Sequence, residues 1–283
     1  MVVLALASLQ EVQGQLSYST FGSTYSQNFD SLPNTPQNAS LGNSPTGWTD
    51  DNASPGAGNF SIAGWYLYHP LALTEGGANS HQRLRIGAGT ANTGAFASFG
   101  ASSSTDRALG DIGSNTLAGP GAPTNSIYLG LRLVNNTGQT LDSFTISFDG
   151  EQWRDGGAAA PNAQTMSFMW STTATAISDP NSVFTAVTAL DFTSPVFANT
   201  TTGAAVDGNT AGLVAGITAP VTGINWLPGT ELWLRWDDIN HVGNDHGLSI
   251  DNFSFSAAPV PEPSSLIFLG AGAATLLIFR RRR

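Results

Sequence analysis

Cysteine and lysine are both missing from this chain of 283 residues. Without cysteine the protein has no disulfide bond, no thiolate metal site and no cysteine nucleophile. The ten basic residues are all arginine, and charged residues make up only 11% of the chain. Gly, Ser, Thr and Asn are abundant instead, which is typical of a secreted β-protein hydrated by small polar side chains.

The common catalytic motifs are missing as well. Gly247-Leu248-Ser249-Ile250-Asp251 is not a nucleophile elbow, because it ends in Asp where the motif requires Gly. The sequence has no His-Glu-x-x-His, no Walker loop and no dinucleotide fingerprint outside its last apolar run. This favours a protein that is not an enzyme.

Positive charge is scarce before the C-terminus. Residues 11–258 carry 19 carboxylates and 6 arginines, which gives them a formal charge of −13. Such a surface repels nucleic acid and anionic lipid at ordinary salt. We therefore expect no nucleic-acid partner, whereas divalent cations are compatible with this charge.

The last two dozen residues have three consecutive parts. A Val260, Pro261, Glu262, Pro263 motif precedes an uncharged apolar run of 14 residues, 266–279, and the chain ends with Arg280, Arg281, Arg282 and Arg283. As a helix the apolar run is about 21 Å long, against a hydrocarbon core of about 30 Å, and arginine side chains that reach the headgroups extend its span. These features predict one C-terminal transmembrane helix, with the preceding residues outside the cytoplasm.

This order of parts resembles the PEP-CTERM sorting signal of Gram-negative bacteria. In that family an exosortase, a membrane protease-transpeptidase, cuts near the Pro-Glu-Pro motif. The resemblance implies that exosortase is a partner, that the precursor sits in the cell inner membrane, and that the product reaches the cell surface or extracellular matrix. The alternative is a plain C-terminal anchor that is never cut.

The chain divides into three regions. Residues 1–14 begin with an apolar run and resemble the end of a signal peptide that lacks its basic start, so we interpret them as a truncated signal-peptide remnant. A disordered or strand-forming N-terminus is the alternative. Residues 15–258 contain no linker and no repeat, and we expect one domain. Residues 259–283 form the sorting signal.

Alternating apolar and polar residues predict an all-β fold. Strands are predicted at 127–134, 144–148 and 166–170, joined as an antiparallel meander, and later at 231–236 and 247–256. Weaker strands fit 18–21, 25–29, 82–87, 95–99 and 184–192, whereas 34–59 and 100–125 are predicted to be surface loops. Ten to twelve such strands predict an antiparallel jelly-roll-like β-sandwich followed by the transmembrane helix.

The segment 236–253 is the strongest candidate for a site, because it holds four carboxylates and two imidazoles in 18 residues. Hard oxygen ligands of the kind that Ca²⁺ prefers are Asp237, Asp238, Asn240, Asn244 and Asp245. The order of an EF-hand loop is missing. We therefore predict a structural calcium site, and the alternative is a solvated acidic hairpin stabilised by Asx-turns.

The closing strand contributes a second prediction. Leu248 and Ile250 fall on the opposite face from Phe253 and Phe255 unless a β-bulge at 251–252 turns all four inward. The pairing of the stretches 29–33 and 250–255 resembles jelly-roll modules of the carbohydrate-binding and adhesion kind, whose first and last strands lie side by side. In many such modules carboxylates there hold calcium, so the resemblance adds Asp30 and Asp251 to the metal candidates.

A ligand site is predicted at Glu151, Trp153 and Arg154, because ring stacking and bidentate hydrogen bonds recognise sugars. The alternative is a Glu151–Arg154 pair with Trp153 folded over the end of the sandwich. The aromatic stretch 65–69 and His81 more often represent ordinary hydrogen-bonded residues than a site.

Together these features predict a non-catalytic cell-surface or matrix protein that binds polysaccharide or envelope components. The alternative is a calcium-dependent glycan hydrolase or lyase. In that case Glu151 with Asp245 or Asp251 would supply two carboxylates about 5 Å apart, as a retaining glycosidase requires.

Overall fold

The computed structural model describes residues 15–35, 39–40, 62–70, 83–118, 125–160, 162–197 and 202–259. The predicted signal-peptide remnant, the sorting motif from Val260 onward and the predicted transmembrane helix lie outside these ranges. Within them, no helix has both the length and the apolar character needed to cross a membrane.

Sixteen strands, numbered in chain order, make up about half of the described residues, and the helical segments there are single turns at Asn115–Ala118 (α1), Gly157–Ala159 and Thr188–Leu190. The fold is therefore all-β, as predicted. The strands are β1 Leu16–Tyr18, β2 Tyr25–Gln27, β3 Ala39–Ser40, β4 Trp65–Tyr68, β5 Arg83–Gly87, β6 Ala95–Phe99, β7 Ala108–Ile112, β8 Ser126–Asn135, β9 Leu141–Asp155, β10 Thr165–Ser171, β11 Thr185–Ala186, β12 Phe192–Thr193, β13 Ala204–Ala205, β14 Leu213–Trp226, β15 Glu231–Ile239 and β16 Gly247–Ala258.

These strands form two sheets that pack face to face. Sheet A has the order β1-β8-β15-β10-β11, with β4 also on β8 and β12 on β10. Sheet B has the order β13-β9-β16-β7-β6-β5-β3, with β14 on β9 and β2 on β16. Most neighbouring strands are antiparallel; β1 on β8 and β5 on β6 are parallel.

The predicted meander of three strands is wrong. β8 and β10 each pair with β15, and β9 belongs to the opposite sheet. The alternation in each strand correctly identified its inward-facing side chains, since Leu129, Phe148 and Phe168 are all buried. Alternation fixes which face is apolar but does not specify which strand lies alongside.

Trp236 lies at the centre of the core between the sheets. Its ring centroid is 5.5 Å from that of Phe148 in sheet B, 5.7 Å from Phe253 in sheet B and 5.8 Å from Trp65 in sheet A. Two of these contacts are edge-to-face, which aromatic pairs favour. One apolar core thus joins both sheets.

The predicted bulge in the closing strand is confirmed. The register of β16 against β9 shifts between Asp251 and Ser254, and Asn252 has φ +48°. As a result Leu248, Ile250, Phe253 and Phe255 are all buried. The last strand also pairs with a strand near the start of the chain, since Phe253 in β16 is paired with Gln27 in β2. The first strand, β1, instead pairs with β8 in sheet A.

Candidate functional site

A cavity of about 330 Å³ opens at the end of the sandwich where β16 begins. Its walls come from three places in the chain: residues 113–115 after β7, residues 240–245 between β15 and β16, and Arg154 with Asn92. Two regions that the sequence singled out separately, the acidic segment and the Glu-Gln-Trp-Arg stretch, therefore meet here.

The loop 240–245 is fixed by its own acidic residue. Oδ1 of Asp245 accepts a hydrogen bond of 2.7 Å from the backbone N–H of His241. The same carboxylate, 3.5 Å from Nδ1 of His241, raises the pKa of that imidazole. Gly243 has φ +99°, and a side chain there would collide with the carbonyl oxygen of Ala159. The loop therefore needs glycine at this position.

The loop is also tied to the connection between β9 and β10. The Asn244 side chain donates to the carbonyl oxygen of Gly156 at 3.0 Å, and Nδ1 of the buried His246 accepts from the N–H of Gly156 at 2.9 Å. Because Nδ1 is an acceptor, the imidazole of His246 is neutral, and burial lowers its pKa. The side-chain amide of Asn244 is thus used to hold the backbone of the β9–β10 connection.

Amide side chains dominate the cavity wall. Asn240 donates to Oδ1 of Asn115 at 2.9 Å, and Asn92 and Asn244 stand on other parts of the wall. The guanidinium of Arg154 is held by the carbonyl oxygens of Gly89 and Thr90, at 3.0 and 3.4 Å. Amides, a carboxylate and a guanidinium in one concave site are suited to hydrogen-bonding a polyhydroxylated ligand.

Two buried carboxyl groups lie next to this cavity. Asp238 at the end of β15 and Asp111 in β7 each stand two residues before a residue of the cavity wall, Asn240 and Gly113 respectively. Asp111 is 0% exposed and Asp238 2%. Burial raises the pKa of both, and the pKa of Asp238 rises further because Asp111 lies beside it. Asp111 was not predicted, because it falls in a stretch that we interpreted as a loop.

The other predicted metal ligands do not join this group. Asp237 lies on the outer face of sheet A, 4.0 Å from Arg235, because neighbouring residues of a strand point to opposite faces. Asp251 belongs to β16 of sheet B, and Asp30 accepts hydrogen bonds from the side chain of Asn28 and from the backbone N–H of Arg107. No three Asp, Glu or His side chains in the described ranges are already arranged to hold a metal ion.

The predicted sugar-stacking residue Trp153 is covered. Its ring stacks on Phe99 with centroids 6.2 Å apart, its N–H donates to Oε2 of Glu151 at 2.8 Å, and Gly208 packs against it. Glu151 and Asp251 are also buried, which raises their pKa values to about 7 and about 8. Glu151 bonds to Trp153, whereas Arg154 turns to the cavity wall.

The aromatic stretch after β3 is packed into the protein. Trp65 belongs to the core, and Tyr68 stacks on Tyr128 of β8 at 5.3 Å. The guanidinium of Arg235 lies between Tyr128 and Phe184, 4.2 and 3.8 Å from the ring centroids. These aromatic rings and the guanidinium therefore pack against one another. His81 lies outside the described residues.

Comparison with known protein families matches residues 259–283 to the PEP-CTERM protein-sorting motif. The chain carries a PEP-CTERM sorting motif. The resemblance of Val260–Pro263, the apolar run and the arginine tail to that signal is thereby confirmed. A PEP-CTERM motif indicates an exported protein that is sorted to the cell envelope.

No curated protein matches this sequence. Solved structures that match this one include the CBM22-1 xylan-binding domain from Paenibacillus barcinonensis (10% identity, 59% of this chain and 82% of that one, TM-score 0.33). Another is the K1 cleaved adhesin domain of Lys-gingipain from Porphyromonas gingivalis W83 (14% identity, 83% and 99%, TM-score 0.32). With identities and TM-scores this low, nothing that these proteins bind is transferred to this chain.

Proposed function

We propose that this PEP-CTERM protein is processed by an exosortase and then acts at the cell surface or in the extracellular matrix as a non-catalytic binder of polysaccharide. The sorting motif at residues 259–283 supports the first step. Its helix would hold the precursor in the inner membrane until the Pro-Glu-Pro motif is cut.

The observation that carries the binding role is the cavity at the end of the sandwich. At about 330 Å³ it is at the lower end of the range for small-molecule sites, so it suits the end of a glycan chain. Its Asn side chains and the guanidinium of Arg154 offer donors to sugar oxygens, and Asp245 offers acceptors to sugar hydroxyl groups.

The charge of the protein favours a neutral polysaccharide. Residues 11–258 carry a formal charge of −13, which repels anionic polymers at low and moderate salt. A polymer of neutral sugars pays no such electrostatic cost. Neutral glycans are therefore the proposed ligand class.

The arrangement of carboxylates favours binding over hydrolysis. Among the described residues that form the cavity wall, Asp245 supplies the one carboxylate, and it is hydrogen-bonded to the backbone of His241. Acid–base glycoside hydrolysis uses two carboxyl groups that flank the scissile bond. The buried Asp111 and Asp238 do not line the cavity, so they are poorly placed for that role.

A glycan array tests the proposal, with Asn92→Trp as the decisive variant. Asn92 is exposed on the cavity wall, so a large ring there fills the cavity with little effect on the core. The control is Val183→Trp, which places the same ring at a position that is 78% exposed and not part of the cavity wall. We expect the wild type and the control to bind neutral glycans and Asn92→Trp to lose binding.

Two results would count against the proposal. One is a wild-type protein that binds no glycan on a broad neutral array. The other is equal binding by Asn92→Trp, which would place the ligand elsewhere on the molecule. Release of reducing ends from a bound glycan would favour the hydrolase instead.

A further inference from the structure

The proposed binding role does not account for two buried carboxyl groups, those of Asp111 and Asp238. In the register of the sheets, Asp111 is paired with the inward-facing Leu248, and Asp238 with the inward-facing Ile127. The two side chains therefore enter the space between the sheets from opposite sides. Neither oxygen of Asp111, nor Oδ1 of Asp238, accepts a hydrogen bond from an N–H or hydroxyl group of the described residues. The two carboxyl groups are close enough to hydrogen-bond to each other when one of them is protonated.

The charged groups around this pair are mostly of the same sign. Asp245 and Asp237 act on Asp111, while Asp111, Asp245 and the imidazole of His241 act on Asp238. The nearby arginines are engaged elsewhere: Arg154 with Gly89, and Arg235 with the carbonyl oxygen of Ile177. Two imidazoles are near the pair: His241, whose charge acts on Asp238, and the buried His69, whose ring centroid is 5.8 Å from that of Phe96, the residue paired with Asp111.

Two ionised carboxylates buried next to each other would lower the stability of the folded state. Buried charges are normally paired, hydrogen-bonded or bound to a metal, because removal from water is otherwise strongly unfavourable. A single proton shared between the two groups would remove one charge. A divalent cation would neutralise both and would also provide partners for the unbonded oxygens.

We propose that Asp111 and Asp238 bind one Ca²⁺ ion between the two sheets, with Asp245 as a third ligand. The carboxylate of Asp245 packs against Gly113, two residues after Asp111, and its charge acts on both members of the pair. To reach the ion, Asp245 would have to give up its hydrogen bond to the N–H of His241. Calcium takes six to eight oxygen ligands in flexible geometry, including amide and water oxygens. Waters would complete the coordination, and the nearby cavity wall, at Gly113 and Asn240, lies two residues along the chain from each carboxyl group.

This ligand set differs from the one that the sequence predicted. It adds Asp111 and keeps Asp238 and Asp245. It leaves out Asp237, which faces the other side of sheet A, and Asn244, which is bonded to Gly156. It also leaves out Asp30 and Asp251, which lie beside sheet B away from the cavity.

The test is calcium content and thermal stability of the full-length chain, purified in mild detergent and dialysed against EDTA. We expect one calcium per chain by atomic emission after re-addition, and a melting temperature that rises by several degrees in millimolar calcium, because an ion that binds only the folded state stabilises it. Asp111→Asn combined with Asp238→Asn should abolish both effects.

The matched control is Asp251→Asn. Asp251 is also buried and has an oxygen without a donor, but it lies outside the proposed site, so its variant should bind calcium as the wild type does. If the double variant does not fold, Asp245→Asn replaces it and should weaken calcium binding by about tenfold or more, because calcium affinity depends on the number of charged ligands. The proposal is overturned if calcium changes neither content nor melting temperature of the wild type, or if Asp251→Asn alone removes the response.

Discussion

Asp111 and Asp238 reach the same point between the two sheets from strands that share no edge. β7 is in sheet B and β15 is in sheet A, and the two residues are 127 positions apart in the chain. Burial and mutual proximity raise the pKa values of both carboxyl groups. Because the two carboxyl groups face each other across the sheets, the distance between the sheets at this end should depend on how the charge of the pair is neutralised.

The proposed exosortase processing depends on the Pro-Glu-Pro motif. Deletion of residues 261–263 is expected to leave the protein uncut in the inner membrane, because in the proposed function an exosortase cuts near this motif. Cell fractionation and an immunoblot would detect the longer form. Mass spectrometry that finds Arg283 on protein from the wild-type cell surface would contradict the prediction.

Stability should fall as the pH rises from about 4 to about 8. Burial raises the pKa of Glu151 to about 7 and of Asp251 to about 8, so the folded state holds more protons than the unfolded chain in this range. Stability then decreases with pH until both groups are ionised. Glu151→Gln and Asp251→Asn should each flatten this dependence in thermal melts across the range. A wild-type melting temperature that increases between pH 5 and pH 8 would contradict this predicted pH dependence.

Asn252 should tolerate glycine better than a β-branched residue. Its φ of +48° at the bulge is unfavourable for most side chains, and its exposed side chain makes one hydrogen bond, to Asp149. Asn252→Val is expected to lower the free energy of unfolding by about 1–3 kcal/mol, and Asn252→Gly by less. Urea denaturation of the three proteins would measure the difference. Equal losses would mean that the hydrogen bond, rather than the backbone, matters.

Gly243→Ala should damage the cavity while Gly138→Ala does not. Both glycines have positive φ, but an added methyl group meets nothing near Gly138 and collides with Ala159 at Gly243. Both variants should lose about 1 kcal/mol from backbone strain. We expect glycan binding to be lost only in Gly243→Ala, measured by calorimetry with a glycan that the wild type binds. Unchanged binding would show that the loop 240–245 does not shape the site.

Much of the fold could be read from alternation, and its failures have physical causes. The strand 95–99 was predicted with its observed bounds, and the bulge followed from the need to bury four apolar residues. β14 was missed because Gly216, Pro220 and Gly223 interrupt its pattern, and its pairing with β9 shifts register twice. A pattern-based method finds regular strands, whereas β14 is irregular.

The site was only partly predictable for a related reason. The acidic segment was identified, but Asp237 and Asp238 were grouped as loop ligands although β15 continues through Ile239 and points them to opposite faces. Asp111 was missed because a carboxylate and Gly110 occupy a strand that apolar alternation would not reveal. Which carboxylates meet depends on pairing across the sandwich, and local spacing carries little information about it.

The closing strand β16 also sets the distance between the cavity and the C-terminal sorting motif. It begins at Gly247, beside the cavity, and ends at Ala258, next to the sorting motif, and its 12 residues span about 40 Å at roughly 3.3 Å each. A protein held at the envelope through its C-terminus would therefore carry the cavity at its far tip. In the proposed function, this strand would act as a spacer that holds the cavity away from the envelope.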